Sequence, residues 1–263
     1  MAFVRVNDIV IHYEVRGRQD GPTVAFANSL GTDFRIWDPV TRLLEDDFRI
    51  VLYDKRGHGL SEGPPPPYAM TDHVEDLAAL LRHLGIERTA VVGLSIGGMI
   101  AQGLAALHPE LVSALVLCDT AHKIGTEQSW NARIEAVRNR GIGSIADAVM
   151  KVWFTEGYRR PDNPDLIGCK LMLSRQDIEG YVGSCTALRD CDLTESTRAL
   201  KLPVLVVVGE EDGSTPPDLV RSMAELIEGA RFEIVKGAAH IPCIEQPAET
   251  ARLIKDFLKS TIA

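Results

Sequence analysis

The sequence predicts an α/β protein: a mostly parallel sheet of eight strands flanked by helices, with a helical cap inserted after the sixth strand. Three observations predict it. Short apolar runs alternate with amphipathic helical patterns along most of the chain, which implies parallel strands joined by crossover helices. The alternation fails once, between Ala121 and about Leu200, where helical patterns continue without a convincing strand. A glycine-framed turn, Gly93-Leu94-Ser95-Ile96-Gly97, stands between the apolar run Ala90 to Val92 and the helix-like stretch Ile96 to Leu107.

In chain order, Met1 to Val15 alternates apolar and polar residues around Asn7-Asp8 and reads as a β-hairpin. Thr23 to Ala27 is a short apolar strand, followed by the loop Asn28-Ser29-Leu30-Gly31. Asp38 to Glu45 reads as a short helix with Pro39 in its first turn. Phe48 to Tyr53 is the next strand, and Lys55 to Pro67 a loop rich in Gly and Pro. Thr71 is placed to cap a helix reaching Leu84, with Val74, Leu77, Leu80, Leu81 and Leu84 along one side. The Ser95 turn and its helix follow, then the strand Leu115 to Cys118. After the helical block come the strands Pro203 to Val208 and Phe232 to Val235, and the helices Pro217 to Ile227 and Pro247 to Leu258. Gly141-Ile142-Gly143 and Pro161-Asp162-Asn163-Pro164 divide the block into separate helices. Inserted where sheet strands end, it would lie over Ser95. The expected organisation is a core domain of residues 1–120 and 201–263 with a cap of residues 121–200.

The chain has 263 residues, 45% of them hydrophobic, enough for one sizeable core. Its net charge of −9 argues against a nucleic-acid surface. The same charge offers an anionic substrate no long-range attraction, so local arginines would have to hold one. Five cysteines, at 118, 169, 185, 191 and 243, show neither a C-x-x-C pair nor zinc spacing, as expected of reduced thiols in a cytoplasmic protein. The first residues lack the basic start and apolar stretch of a signal peptide, and no apolar run is long enough to span a bilayer. No His/Cys cluster has metal-ligand spacing, and neither a metal nor an organic cofactor is expected. Homo-oligomerisation is left open.

A serine held between a buried strand and a helix must make a sharp, strained turn. That turn pushes the Ser95 hydroxyl out at the strand end and aims the first free N–H groups of the helix at the same spot. A hydroxyl is a poor nucleophile until a base takes its proton. Of seven histidines, His240 lies in a loop after the final strand, on the same sheet edge as Ser95 if the strands are parallel. His58, in Arg56-Gly57-His58-Gly59, is the rival, unless it serves only to order its loop. His73, His83 and His108 read as solvated residues on or at the ends of helices, and His12 falls in the hairpin. The base needs an orienting carboxylate, and Glu210-Glu211-Asp212 follows the penultimate strand on that edge. Asp212, the last acid before the turn, is the favoured member, with Glu210 and Glu211 as alternatives. The order Ser, Asp, His, each just past a strand, is far more specific than any one loop. The oxyanion would be held by two backbone N–H groups, of Ile96 and of Leu30.

Asn28-Ser29-Leu30-Gly31-Thr32-Asp33 with Trp37-Asp38, then Tyr53-Asp54-Lys55-Arg56-Gly57-His58-Gly59-Leu60-Ser61, then Gly93-Leu94-Ser95-Ile96-Gly97-Gly98, resemble the α/β-hydrolase superfamily over essentially the whole chain. With Gly180-Tyr181 and Ala187-Leu188-Arg189-Asp190-Cys191-Asp192-Leu193, the chain is similar to the 3-oxoadipate enol-lactonases. Cys191 and the acid pair before Asp212 depart from that pattern. The resemblance implies a carboxylic-ester hydrolase that opens a small enol-lactone carrying an acetate arm, giving 3-oxoadipate in the breakdown of aromatic compounds by the β-ketoadipate pathway.

Such a substrate needs a cation for its carboxylate. Trp130 and Arg133, three apart in the first cap helix, share a face and could form a clamp of indole N–H and guanidinium. They could equally pack the cap and face solvent. Arg189 is the second candidate, unless Asp190 and Asp192 occupy it, and Trp153 with Phe154 reads as cap packing. The competing readings are a broad carboxylesterase or a cofactor-free, haloperoxidase-like perhydrolase on the same scaffold, and a non-catalytic ligand receptor.

Overall fold

A computed structural model describes residues 2–262, so the expected first residue of the hairpin, Met1, lies outside the described residues. Strands β1 (Ala2–Val6) and β2 (Ile9–Gly17) form the hairpin, and its turn puts Asn7 and Asp8 at positive φ, where short polar side chains are tolerated best. β3 (Thr23–Ala27), β4 (Arg49–Tyr53), β5 (Thr89–Leu94), β6 (Val112–Cys118), β7 (Val204–Gly209) and β8 (Arg231–Val235) complete one sheet. Its strand order is β1-β2-β4-β3-β5-β6-β7-β8, antiparallel only where β2 meets β1 and β4. The five central strands read as unbroken apolar runs because both faces are covered, and every residue of β5 and β7 is buried. The chain steps from β3 to β4 on one side and then back to β5 on the other. Strand order therefore reverses around β3, and the crevice beyond the carboxyl ends of β3 and β5 is where such sheets bind ligands.

The helices are α1 (Asp38–Thr41), α2 (Met70–His83), α3 (Ile96–Leu107), α4 (Glu127–Arg140), α5 (Ala146–Trp153), α6 (Pro164–Ser174), α7 (Ile178–Asp190), α8 (Thr194–Arg198), α9 (Pro217–Leu226), α10 (Pro242–Glu245) and α11 (Pro247–Thr261). Several boundaries differ from expectation, among them the start of β6, at Val112 and not Leu115, and those of three helices. α1 stops at Thr41 and the chain finishes in turns. α2 starts two residues earlier than a helix capped by Thr71 would, because the Asp72 carboxylate takes the Ala69 N–H at 2.8 Å and closes the first turn without Thr71. α11 runs on to Thr261.

Helices α4 to α8 lie between β6 and β7 and form the cap. α4 begins where the Thr126 hydroxyl accepts the Ser129 N–H at 3.2 Å, and α6 where the Asn163 side chain accepts the Asp165 N–H at 3.0 Å with Pro164 in the first turn. α7 is the cap's central helix, buried continuously from Gly180 to Leu188. It sits so close to the loop after β4 that a Cβ on Gly57 or on Gly180 would strike the other's backbone. Polar bonds hold the cap to the sheet layer: Thr197 Oγ1 donates to Gln102 of α3 at 2.7 Å, and the Ile241 N–H donates to the Trp153 carbonyl at 3.2 Å. No helix among the described residues is long and apolar enough to cross a membrane.

Candidate active site

Ser95 is the hinge between β5 and α3, with φ 57° and ψ −119°. A non-glycine residue in that region costs on the order of 1–3 kcal/mol and persists only when its surroundings hold it. Here the Ser95 N–H donates to the Cys118 carbonyl at 3.0 Å, and the Ser95 carbonyl accepts from Thr120 Oγ1 at 2.7 Å and from the Gly98 N–H at 2.9 Å. Strand and helix close so tightly that a Cβ on Gly93 would hit the Gly97 carbonyl, and one on Gly97 the Ala27 carbonyl. With its backbone clamped on both sides, Ser95 presents its side chain at the crevice.

His240 lies past β8, and Asp212 past β7. His240 Nδ1 is 2.9 Å from Asp212 Oδ2 and 3.1 Å from Oδ1. A proton on Nδ1 satisfies that contact and leaves Nε2 free to accept one. Asp212 also accepts from the Ser214 N–H at 2.7 Å, the Thr215 N–H at 3.0 Å and Thr215 Oγ1 at 2.6 Å. Burial alone would raise its carboxyl pKa, but the His240 charge and these hydrogen bonds outweigh burial and hold it below the ordinary value. Glu210 and Glu211 are exposed, and neither bonds His240 among the described residues. The His240 loop is braced by Glu245, whose carboxylate accepts the Ala239 N–H at 2.7 Å and the Thr155 N–H and hydroxyl of the cap at 3.0 and 2.8 Å. No hydrogen bond joins Ser95 to His240 among the described residues, and in free enzymes this contact commonly tightens only when substrate arrives.

The loop after β3 carries the second expected oxyanion donor. Neither the Leu30 nor the Ile96 N–H donates to another group among the described residues. Their neighbours are tightly held. The Ser29 carbonyl accepts from Lys55 Nζ at 2.6 Å and from Thr32 Oγ1 at 2.8 Å. His58 Nε2 accepts the Gly31 N–H at 3.0 Å, while Nδ1 lies 3.2 Å from the Arg56 carbonyl. Burial, then the Lys55 charge, push the His58 pKa well down. A neutral imidazole with both nitrogens engaged orders this loop and is not free to act as the base.

In the cap the indole N–H of Trp130 is not available for a clamp, because it donates to the Ile124 carbonyl at 2.7 Å. Trp130 instead offers its ring to Arg133, whose guanidinium carbon lies 5.6 Å from the ring centre. Arg133 is half-buried and has no carboxylate partner among the described residues. It donates to the Tyr181 hydroxyl at 3.3 Å, and the Tyr181 ring packs beside Gly31 of the oxyanion loop. Arg189 is already occupied by Asp190, at 2.7 and 2.8 Å, and by Asn131 at 3.0 Å. Trp153 and Phe154 are buried and stand edge to face.

Sequence patterns missed other residues here. His73 is not solvated but buried, its Nε2 3.3 Å from Ser184 Oγ, because α7 packs over α2. Glu245 and Asp119 carry no local signal of their roles, and Lys55 and Tyr181 stand in the motifs of the resemblance with no role legible from them. Asp119, Asp212 and His240 bring possible ligand atoms within 4.8 Å of one another. The Asp212 oxygens are already committed to four donors, so a cation there would displace the bonds that orient His240. A cavity of about 1130 Å³ opens between β2, the segment after β3 and α6, but Ser95, Asp212 and His240 do not line it.

Known proteins resemble this chain in sequence and in fold. A family model described as the alpha/beta hydrolase fold matches residues 22–141. The chain is 34% identical to 3-oxoadipate enol-lactonase 2 of Acinetobacter baylyi, over 96% of this chain and 94% of that one. It superposes on the enol-lactonase of Burkholderia xenovorans LB400 with a TM-score of 0.95 at 35% identity, covering 98% of this chain and 100% of that one. A thermophilic esterase of Thermogutta terrifontis, solved with malate bound, gives a TM-score of 0.92 at 28% identity, covering 97% and 95%. By the eight-stranded sheet, the strained serine turn and these matches, the chain belongs to the α/β-hydrolase superfamily.

Proposed function

We propose that this protein is a serine hydrolase of a small anionic lactone, opening 3-oxoadipate enol-lactone to 3-oxoadipate. Residues 1–120 and 201–263 would supply the chemistry, and residues 121–200 the recognition. His240 takes the Ser95 proton as the hydroxyl attacks the lactone carbonyl. The Leu30 and Ile96 N–H groups receive the developing oxyanion, and in other enzymes losing one such donor costs about 2.7–4 kcal/mol. The ring opens to an acyl-enzyme with an enolate leaving group, which His240 protonates. Tautomerisation to the ketone makes the opening effectively irreversible. His240 then deprotonates a water that releases the acid.

One observation carries the choice of an anion: Arg133, a half-buried guanidinium without an acid, is one side chain away from the oxyanion loop. Its hydrogen-bond partner is the neutral Tyr181 hydroxyl, so in this reading a substrate carboxylate supplies the complementary charge. The two relatives named as enol-lactonases support the same reading. The test is a spectrophotometric assay with the enol-lactone generated in situ, beside a neutral p-nitrophenyl ester. A preference for the lactone of at least about tenfold in kcat/KM is expected, the size of one charge-assisted contact. Equal turnover would favour a broad carboxylesterase, the reading to which the Thermogutta terrifontis likeness points.

A further inference from the structure

Asp119 is a buried carboxyl that the mechanism above does not use. We propose that it is a positioning residue of the triad: held as the neutral acid, it donates a hydrogen bond to Asp212 and fixes the carboxylate that orients His240. The proposal rests on reading Ser95, His240 and Asp212 as the triad, and not on the identity of the substrate.

Three geometric observations carry it. Asp119 follows the last residue of β6 and is fully buried. Its Oδ1 accepts the Gly209 N–H at 2.8 Å, but its Oδ2 has no partner among the described residues. Its carboxylate is grouped within 4.8 Å of the Asp212 and His240 ligand atoms. An ionised Asp119 would leave a charged oxygen unsatisfied in the interior beside a second carboxylate, and two such neighbours do not both stay ionised. A proton on Oδ2 removes both difficulties, because the orphan acceptor becomes a donor and Asp212 is the acceptor at hand.

The surroundings agree on which acid keeps the proton. Asp212 is surrounded by donors. Asp119 faces acids and thiols: Asp212 beyond β7, Glu245 and Cys243 on α10, and Cys118 beside it on β6, with His240 in the same cluster. Burial first, then the Asp212 charge, push the Asp119 pKa well above the usual carboxylate range, whereas Asp212 is held below it. The backbone is held as well: Asp119 sits at φ 44°, and its N–H donates to the Val207 carbonyl at 2.8 Å. Aspartate and asparagine tolerate that conformation better than most residues.

The experiment compares kcat/KM against pH for wild type, Asp119→Asn, Asp119→Ala and Ser95→Ala on p-nitrophenyl acetate, a neutral ester. An asparagine amide can donate to Asp212 and accept from Gly209 as the neutral acid does. Asp119→Asn is therefore expected to stay within about threefold of wild type with its acidic limb unmoved, and Asp119→Ala to lose about ten- to a hundredfold in kcat. Infrared difference spectra of wild type against Asp119→Asn should show a protonated-carboxyl band. If Asp119→Asn instead lowers the acidic limb by about a unit or more, a negative charge beside His240 has been removed and Asp119 was ionised. Wild-type activity in Asp119→Ala, or absence of the infrared band, also overturns the proposal. If Asp119→Ala does not fold, the Asp119→Asn profile and the spectrum decide. Turnover by Ser95→Ala would overturn the triad itself, whereas an inactive Ser95→Ala beside a fully active Asp119→Ala would overturn this proposal alone.

Discussion

At the carboxyl edge of the sheet, Ser95, Asp212 and His240 keep 7, 3 and 1% of their surfaces exposed, and Asp212 is held by several short hydrogen bonds. In the cap, Arg133 is half-buried and makes one long hydrogen bond, to Tyr181 at 3.3 Å. On the function proposed above, the contrast separates two jobs. Groups that must not move during bond making are fixed by strand ends, which a parallel sheet brings to one edge. A group that must meet a substrate's charge is left unsatisfied until that charge arrives. Damage at the sheet edge should therefore cost every substrate alike, and damage in the cap only the anionic ones.

The largest effect should follow Ser95→Ala, which removes the nucleophile and should lower kcat by roughly 10⁴-fold or more on lactone and neutral ester together. Near-normal turnover by preparations free of wild-type enzyme would end the mechanism. Next is Asp212→Asn. The amide cannot hold the His240 tautomer, and a loss on the order of 10⁴-fold is expected from the same exchange in other triads. Glu210→Gln and Glu211→Gln, at exposed positions, should change kcat less than about twofold, since surface substitutions away from special features rarely matter more. A more severe loss from either would move the acid.

In the cap the predicted loss is smaller and selective. Arg133→Ala should lower kcat/KM for the lactone about ten- to a hundredfold, as one charge-assisted hydrogen bond contributes about 1.5–3 kcal/mol. The neutral ester should change less than about threefold. Arg189→Ala should leave both activities near wild type, because its guanidinium is spent on Asp190 and Asn131. Selective loss from Arg189→Ala would place the clamp on α7. Parallel loss of both activities in both variants would make the arginines cap braces and remove the contrast between the regions.

How much of this was legible in the sequence follows the same division. All eight strands and the serine turn were readable: burial on both faces writes apolar runs in the five central strands, alternation around Asn7-Asp8 marks the hairpin, and the turn demands Gly93 and Gly97. The edge on which Asp212 and His240 fall followed from parallel strands alone. Hydrogen-bond partners were not legible. Spacing put Trp130 and Arg133 on one face, but nothing in it shows that the indole N–H goes to Ile124. His73 stands four and seven residues before Leu77 and Leu80, so spacing puts it on the apolar side of α2; it read as solvated by residue type, and α7 covers it. Asp119 looks like any acid closing a strand, and Lys55 like any basic residue opening a loop.

Lys55 allows the finest test of how rigidly the sheet edge is built. It is fully buried beneath the oxyanion loop, bonded to the Ser29 carbonyl at 2.6 Å, and has no salt-bridged carboxylate among the described residues. Burial outweighs the charges of Asp54 and Asp33 and brings its pKa down to about 7. Above that pH the folded protein has shed a proton that the unfolded chain keeps until the ordinary lysine value of about 10.4. Wild-type stability should therefore climb with pH across that window, relative to Lys55→Met, by up to about 1.4 kcal/mol per unit. Below about pH 7 the two should run parallel, since both states of the wild type are then protonated. The Ser29 carbonyl keeps its bond from Thr32 Oγ1 in the variant at every pH, so the comparison of slopes isolates the ammonium. Urea unfolding at pH 6, 7, 8 and 9 measures it. A constant difference between the two proteins would mean that Lys55 stays charged under the loop, placing a fixed positive charge near the oxyanion rather than a neutral amine.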